Sequence, residues 1–146
     1  MKPFFFALGL FISTALVAQK NTIDNSNSTV GFTITNAGLE VEGFFRTVSG
    51  TINFDKNNLS ATKMNANVKT ESIDTDIEMR DNHLREEDYF NVEEYASMSF
   101  KSSSVSEKNG AYTVSGTLTI KDVSKTISFP FSVKEENGKE MFSGSF

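Results

Sequence analysis

The stretch AYTVSGTLTIKDVSKTISFPFSV, residues 111–133, shows the pattern that decides the fold. Apolar side chains or glycine occupy every second position from Tyr112 to Ile120, and serine and threonine fill the positions between them. After a polar link at 121–125, the alternation resumes from Ile127 to Val133. A period of two is typical of strands that bury one face, so the stretch predicts two half-buried β-strands. Pro130 cannot donate a ladder hydrogen bond, which predicts a sheet edge or a bulge in the second strand.

The same alternation extends over much of the chain on both sides of this stretch. It is present at 29–35, 39–46, 48–54, 64–69 and 98–100, and the runs are separated by turn-forming residues at 55–58, 107–110 and 136–138. Seven or eight short antiparallel strands, each with one apolar face, must either pair as two sheets or close into a barrel. The sequence therefore predicts an all-β protein.

One short helix is predicted near residues 76–88, between two strands. Thr75 and Glu78 have the spacing of a capping box, in which the threonine hydroxyl accepts from the Glu78 backbone N–H. Asp81 and Arg85 lie four residues apart and are predicted to pair on the helix surface. The segment is predicted to cross from one strand to the next.

The first eighteen residues predict a secretory signal peptide. Lys2 precedes an apolar run from Pro3 to Val17, and the small residue Ala18 marks the expected cleavage site. The domain is then expected to occupy residues 19–146, in the periplasm or outside the cell, with no membrane span after cleavage. We expect the net charge to change from -5 to -6, since Lys2 is the only charged residue removed.

Composition excludes several functions. An acidic surface argues against nucleic acid as a partner, because phosphate recognition requires clustered positive charge. The chain contains no cysteine, which excludes disulfides, thiolate catalysis and thiolate metal sites. With a single histidine, a zinc site would need three carboxylates or an open shell, so no metal is predicted. The aspartates at 74, 76 and 81 lack the twelve-residue calcium-loop pattern.

Several ordered motifs make the chain resemble the YceI-like family of exported bacterial proteins, which have a lipocalin-like barrel. The matching motifs are Ser72-Ile-Asp-Thr75, Arg80-Asp81, His83-Leu84, Tyr89-Phe90-Asn91-Val92, Gly116-x-Leu118-Thr119-Ile120, Gly43-x-Phe45 and Gly50-x-Ile52-x-Phe54-Asp55. The resemblance implies an antiparallel barrel of about eight strands. It also implies that the last strands of that barrel lie beyond residue 146.

The resemblance further implies binding rather than catalysis. Family members are described as carriers of long polyisoprenoid chains, such as polyprenyl phosphates or quinone tails, held inside the barrel. No cofactor other than such a lipid is expected. The apolar parity of the strands gives the residues expected to line the interior: Phe32, Ile34, Phe45, Ile52, Phe54, Val68, Phe100, Val114, Leu118, Phe129 and Phe131. Arg80 and His83 are candidate contacts for a headgroup at the barrel mouth, since a guanidinium suits phosphate.

Two other functions stay open. Periodicity does not distinguish a hollow barrel from a filled one, so the protein could instead be an envelope-stress or interaction module with a solid core. Phe44 is the first candidate contact of such a module, because it lies on the polar parity of its strand. An enzyme is the third hypothesis. It would depend on His83, and the chain has no nucleophile motif of the G-x-S-x-G type.

Overall fold

The computed structural model describes residues 21–146, so the predicted signal peptide lies outside the described residues. These residues form an all-β protein with one short α-helix, as predicted. The elements are β1 (Val30–Asn36), β2 (Leu39–Phe45), β3 (Val48–Asn53), β4 (Lys63–Lys69), β5 (Ile73–Asp74), α1 (Glu78–Arg85), β6 (Ser97–Lys108), β7 (Ala111–Ile120), β8 (Val123–Glu136) and β9 (Lys139–Gly144), with single turns of 3-10 helix at 25–27, 59–61 and 70–72.

The strands form two antiparallel sheets that together curl into a half-barrel. The smaller sheet has the order β1-β2-β5, and the larger one has the order β3-β4-β6-β7-β8-β9. Because successive strands run in opposite directions, the connections collect at two ends. The turns at 37–38, 109–110 and 137–138 and the loop at 54–62 form the hairpin end, and the segment 70–96 with the turn at 121–122 forms the helical end.

Three tight turns at the hairpin end fix the strand register. Ala37-Gly38, Asn109-Gly110 and Asn137-Gly138 each have a positive φ at both residues. This is the conformation of a type I′ turn, whose twist matches that of the strands it joins. The asparagine–glycine pairs were predicted as turns from the sequence, and the structure confirms them.

A β-bulge interrupts the pairing of β6 with β7. Ser102 lies opposite Gly116 and Ser104 lies opposite Ser115, so Ser103 is the extra residue. The bulge reverses the parity of β6, and Val105 packs into the core beyond it. The hydroxyl of Ser102 is buried and accepts the N–H of Met64 at 2.8 Å.

Pro130 lies at a local edge of the larger sheet, in agreement with the prediction of an edge or a bulge. Strand β8 pairs with β7 over residues 123–131 and with β9 over residues 131–136, so its first part has a partner strand on one side only. Pro130 lies opposite Thr113 of β7. It is one residue beyond Phe131 and Gly144, the last pair between β8 and β9. The proline therefore occurs where the pairing with β9 stops.

The helix lies within the predicted range, but its predicted contacts are wrong. Its N-cap residue is Ile77, which makes no side-chain capping bond. The hydroxyl of Thr75 instead donates to the carboxylate of Asp81 at 2.5 Å. Arg85 does not pair with Asp81, since it donates to the backbone carbonyls of Glu71 and Ile73 at 2.9 Å each. Arg85 thus attaches the helix to the segment that precedes it.

Candidate ligand-binding face

The apolar inner face of the half-barrel carries the eleven residues predicted to line the interior. Four of them are buried, namely Phe45, Val68, Val114 and Phe131. Six are half-buried, namely Phe32, Ile52, Phe54, Phe100, Leu118 and Phe129. Ile34 is 47% exposed, because its part of the β1–β2 hairpin extends past the core. The alternation of apolar residues predicted which side chains lie on the inner face. How deeply each is buried depends on how far its strand extends past the core.

Two clusters divide this face among the described residues. The Phe45 cluster contains the buried residues Phe45, Val48, Val68, Ile73 and Met98, with Phe32, Leu84 and Phe90 packed against it. The Phe131 cluster contains Met64, Val114 and Phe131, with Ile52, Phe54, Phe100 and Phe129 among its partly buried neighbours. Of the eleven predicted residues, Ile34 and Leu118 belong to neither cluster.

Two small residues, Gly50 and Ala66, lie side by side on β3 and β4 where the two clusters meet. Strand pairing places Gly50 opposite Ala66, and Ala66 opposite Phe100 on the other side. Gly50 has a φ of +138°, and an added Cβ would lie 2.0 Å from the carbonyl oxygen of Asn65. Only glycine fits this close approach of two strands. Side-chain volume on the inner face is therefore small at Gly50 and Ala66, and the Phe100 ring follows in the same row.

Aromatic rings lie over glycines on the inner face. The ring of Phe32 comes within 2.3 Å of the point where a Cβ of Gly43 would be, and that of Phe100 within 2.6 Å of the same point at Gly116. Such rings cover backbone that glycine leaves unpacked. Sequence reasoning missed these pairs, although Phe32 and Gly43 lie directly opposite each other once the register is known.

The rings near the hairpin end contact one another. The ring centroid of Phe54 lies 5.2 Å from that of Tyr112 and 6.1 Å from that of Phe131, in both cases edge to face. Phe142 also meets Phe54, at 5.7 Å. These are the separations at which aromatic pairs stabilise a core beyond simple burial.

At the helical end, Arg80 and His83 have different surroundings. The Nε of Arg80 donates to the Thr75 hydroxyl at 2.8 Å, and its Nη2 donates to the Thr75 carbonyl at 2.7 Å. His83 is exposed, with its Nδ1 3.2 Å from a Glu86 carboxylate oxygen and its ring 4.8 Å from that of Tyr89. The structure does not bring Arg80 and His83 to a common partner.

Thr75 and Asp81 form a buried polar pair that the sequence did not reveal as such. Thr75 is 4% exposed and Asp81 is 7% exposed. The Asp81 carboxylate accepts both the hydroxyl and the backbone N–H of Thr75, the latter at 2.9 Å. A buried carboxylate requires such donors. The pair fixes the start of the helical segment against β5.

Three groups have shifted acidities. The pKa of Asp74 is lowered by the Asp76 backbone N–H and then by the Arg46 side chain, which donates to it at 2.9 Å. Hydrogen bonds from the side chain of Asn27, then from that of Lys139, lower the pKa of Asp24. Burial, followed by the nearby Glu94 charge, raises the pKa of Tyr95. None of these three is among the predicted site residues.

Chemically, the arrangement presents an apolar surface with few polar groups. Residues 21–146 contain no group of three side chains placed to hold a metal ion. Within that same range, no helix combines the length and apolar character needed to cross a membrane. Phe44 is half-buried on the outer face, where the Arg46 guanidinium lies 5.2 Å from its ring centroid.

Comparison with known proteins gives consistent matches. The model of the YceI-like domain matches residues 22–146. A UPF0312 protein of Photorhabdus laumondii is 36% identical over 140 residues, which cover 94% of this chain and 72% of that relative.

Two solved structures have a similar fold. The crystal structure of BcnA from Burkholderia cenocepacia has a TM-score of 0.77 and 25% identity, over 84% of this chain and 77% of BcnA. A polyisoprenoid binding domain from Saccharophagus degradans, implicated in plant cell wall breakdown, has a TM-score of 0.55 at 17% identity, over 75% of this chain and 64% of that domain. The second likeness concerns the fold.

Proposed function

This chain belongs to the YceI-like family, and from that premise we propose that it binds a long apolar lipid of the polyisoprenoid type along its inner face. The protein would hold the lipid for carriage or storage, and it would act as a binding protein rather than an enzyme. The domain from Saccharophagus degradans that has a similar fold is described as polyisoprenoid binding, which supports this class of ligand. The observation that carries the proposal is the pair of small residues, Gly50 and Ala66, where two apolar clusters meet on the inner face.

The inner face offers enough apolar surface for useful affinity. Six of the predicted lining residues are half-buried and so retain surface that a ligand could cover. Burial of an apolar chain is favourable by about 0.8 kcal/mol for each CH₂ group before the cost of ordering it. A few isoprene units would therefore suffice, and no charged contact is required. Barrels of about eight strands have interiors of the right width for one slender ligand.

Arg80 and His83 stay candidates for headgroup contacts. The Nε and Nη2 atoms of Arg80 donate hydrogen bonds to Thr75, whereas Nη1 takes no part in these two bonds. His83 is exposed and could meet a polar headgroup without loss of a core contact. The fit of a guanidinium to phosphate supports Arg80 in this role. In this proposal neither residue carries out chemistry.

An interaction module with a filled interior is the second candidate. It is favoured by the mutual contacts of the aromatic rings around Phe54, which use side-chain surface that a ligand would otherwise meet. Val114 is only 1% exposed at the centre of that cluster. The two candidates differ in whether the folded protein contains lipid when it is isolated from cells.

The test is to extract the purified protein with organic solvent and to analyse the extract by mass spectrometry. We expect a stoichiometric isoprenoid lipid in the wild-type protein and in Thr117→Lys, and its loss in Leu118→Lys. Leu118 is half-buried on the inner face, whereas Thr117 is its exposed neighbour on the outer face of β7. Circular dichroism would verify that both variants fold. Repeated recovery of folded wild-type protein without lipid would favour the interaction module.

Export is part of the proposal. The apolar run from Pro3 to Val17, followed by Ala18, supports cleavage there and delivery to the periplasm or the medium. N-terminal sequencing of the protein recovered from the periplasm would be expected to begin at Gln19. A chain that retains Met1 in the cytoplasm would contradict this.

A further inference from the structure

The charge of the chain is concentrated at one end of the half-barrel. Residues 76–94 contain eight acidic and two basic side chains, and so carry -6 of the net charge of -7 of residues 21–146. This acidic segment forms most of the helical end. The other described residues sum to -1, and the hairpin end, which includes Glu40 and Glu42, is less acidic than the helical end. The hairpin end is therefore the end that an anionic surface would repel least.

An apolar strip leads from the hairpin end into the core. Leu39 at the tip of the β1–β2 hairpin is 71% exposed, and Ile34 behind it is 47% exposed. Strand pairing continues the strip through the half-buried Val41 and Phe32 to Phe45, which is 3% exposed. These residues have one parity and so lie on the inner face. Exposure thus decreases steadily from the hairpin tip to the Phe45 cluster.

We propose that the protein docks on a lipid bilayer through this hairpin, with Leu39 and Ile34 inserted among the lipids. The inference rests on the function proposed above, because a long isoprenoid chain is insoluble in water and must be taken from a membrane. The apolar strip would then let the isoprenoid pass from the bilayer to the inner face of the protein without crossing water. The glutamates of the hairpin, Glu40 and Glu42, have the opposite parity and lie on its outer face.

The distance between the two ends makes the orientation testable. Strand β6 has 12 residues, which span about 40 Å at roughly 3.3 Å per residue. Charge interactions in physiological salt are screened within about 8 Å. A bilayer at the hairpin end would therefore hardly sense the acidic segment. A bilayer at the helical end would be strongly repelled if it were anionic.

The experiment is co-sedimentation of the protein with vesicles of phosphatidylcholine, alone or mixed with phosphatidylglycerol. Leu39→Ser removes the exposed apolar tip, and Met79→Ser is the matched control, since Met79 is 83% exposed in the acidic segment. Loss of one buried leucine contact predicts about tenfold weaker vesicle binding for Leu39→Ser. We expect Met79→Ser to bind like the wild type. Phosphatidylglycerol should weaken wild-type binding by no more than a few-fold at physiological salt, because Glu40 and Glu42 lie near the inserted tip whereas the acidic segment is distant.

The outcomes separate this inference from the proposed function. Equal binding by Leu39→Ser and the wild type, weaker binding by Met79→Ser, or loss of binding on addition of phosphatidylglycerol would each overturn hairpin docking. Binding of farnesol, measured in solution without vesicles, is a separate readout of the inner face. A protein that binds farnesol but no vesicles refutes docking alone. One that sediments through Leu39 yet binds no isoprenoid supports docking and refutes the proposed ligand.

Discussion

Substitution of Thr75 by valine tests the buried polar pair that positions the helical segment. Valine keeps the shape of threonine but removes the hydroxyl, which donates to Asp81 and accepts from the Arg80 Nε at 2.8 Å. Hydrogen bonds to charged partners contribute about 1.5–3 kcal/mol each, and more is lost when a buried group is left unpaired. Asp81 keeps the Thr75 backbone N–H. Because the two bonds share one hydroxyl, we expect unfolding to become easier by about 2–4 kcal/mol.

Urea unfolding followed by circular dichroism measures this loss. With a denaturant dependence of about 2 kcal/mol per molar urea, the midpoint of Thr75→Val should fall by about 1–2 M. Thr75→Ser keeps the hydroxyl and should lose only about 1 kcal/mol, for one buried methyl group. Thr33→Val, at an exposed threonine of β1, should lie within about 0.5 kcal/mol of the wild type. If serine destabilises the protein as much as valine does, the methyl group and not the hydroxyl is what matters.

Two further predictions concern packing and acidity. Gly116→Val should lower stability by about 1–3 kcal/mol or more, because an added Cβ would lie 2.5 Å from the Lys101 carbonyl oxygen and 2.6 Å from the Phe100 ring. An unchanged melting temperature would contradict this, since valine otherwise favours strands. The pKa of Asp74 is lowered by the Asp76 N–H and by Arg46, so Arg46→Met should raise it toward its ordinary value of 3.8 in a carboxyl NMR titration. The stability that Asp74 adds is complete above pH 3.8, and it is lost as the pH falls through the lower pKa of the folded state. If Arg46→Met leaves the pKa of Asp74 unchanged, the guanidinium is not a cause of the shift.

The strands and turns could be predicted because both signals are local. Alternation reports the burial of one face, and the pairs Asn109-Gly110 and Asn137-Gly138 adopt positive φ readily. The bulge at Ser103 gave no signal, because it lies in a run of three serines that are chemically alike. Pro130 did indicate a local edge, but the residue at which β9 becomes the second partner of β8 is a property of the whole sheet. Local patterns contain no such information.

The capping box failed for a physical reason. A Thr75 hydroxyl can accept from a backbone N–H at the helix start, or it can donate to a carboxylate. The structure shows the second arrangement, with the buried Asp81 as the acceptor. Bonds to a charged partner are roughly twice as strong as neutral ones, so the carboxylate takes precedence over the N–H. The sequence spacing of Thr75 and Glu78 could not reveal that Asp81 would be buried.

The residues that bear most on a hollow interior are the glycines, not the phenylalanines. Parity alone put Phe32 and Phe100 among the lining residues, but it could not say how far their rings extend inward. Each ring takes the space that a Cβ would fill at Gly43 or Gly116, and so lies close to the sheet. The interior of an eight-stranded barrel is either just filled by its own side chains or open to one small ligand. Rings that lie over glycines extend less toward the centre, which favours the proposed lipid over a filled interior, whereas the contacts around Phe54 form a packed part of the core.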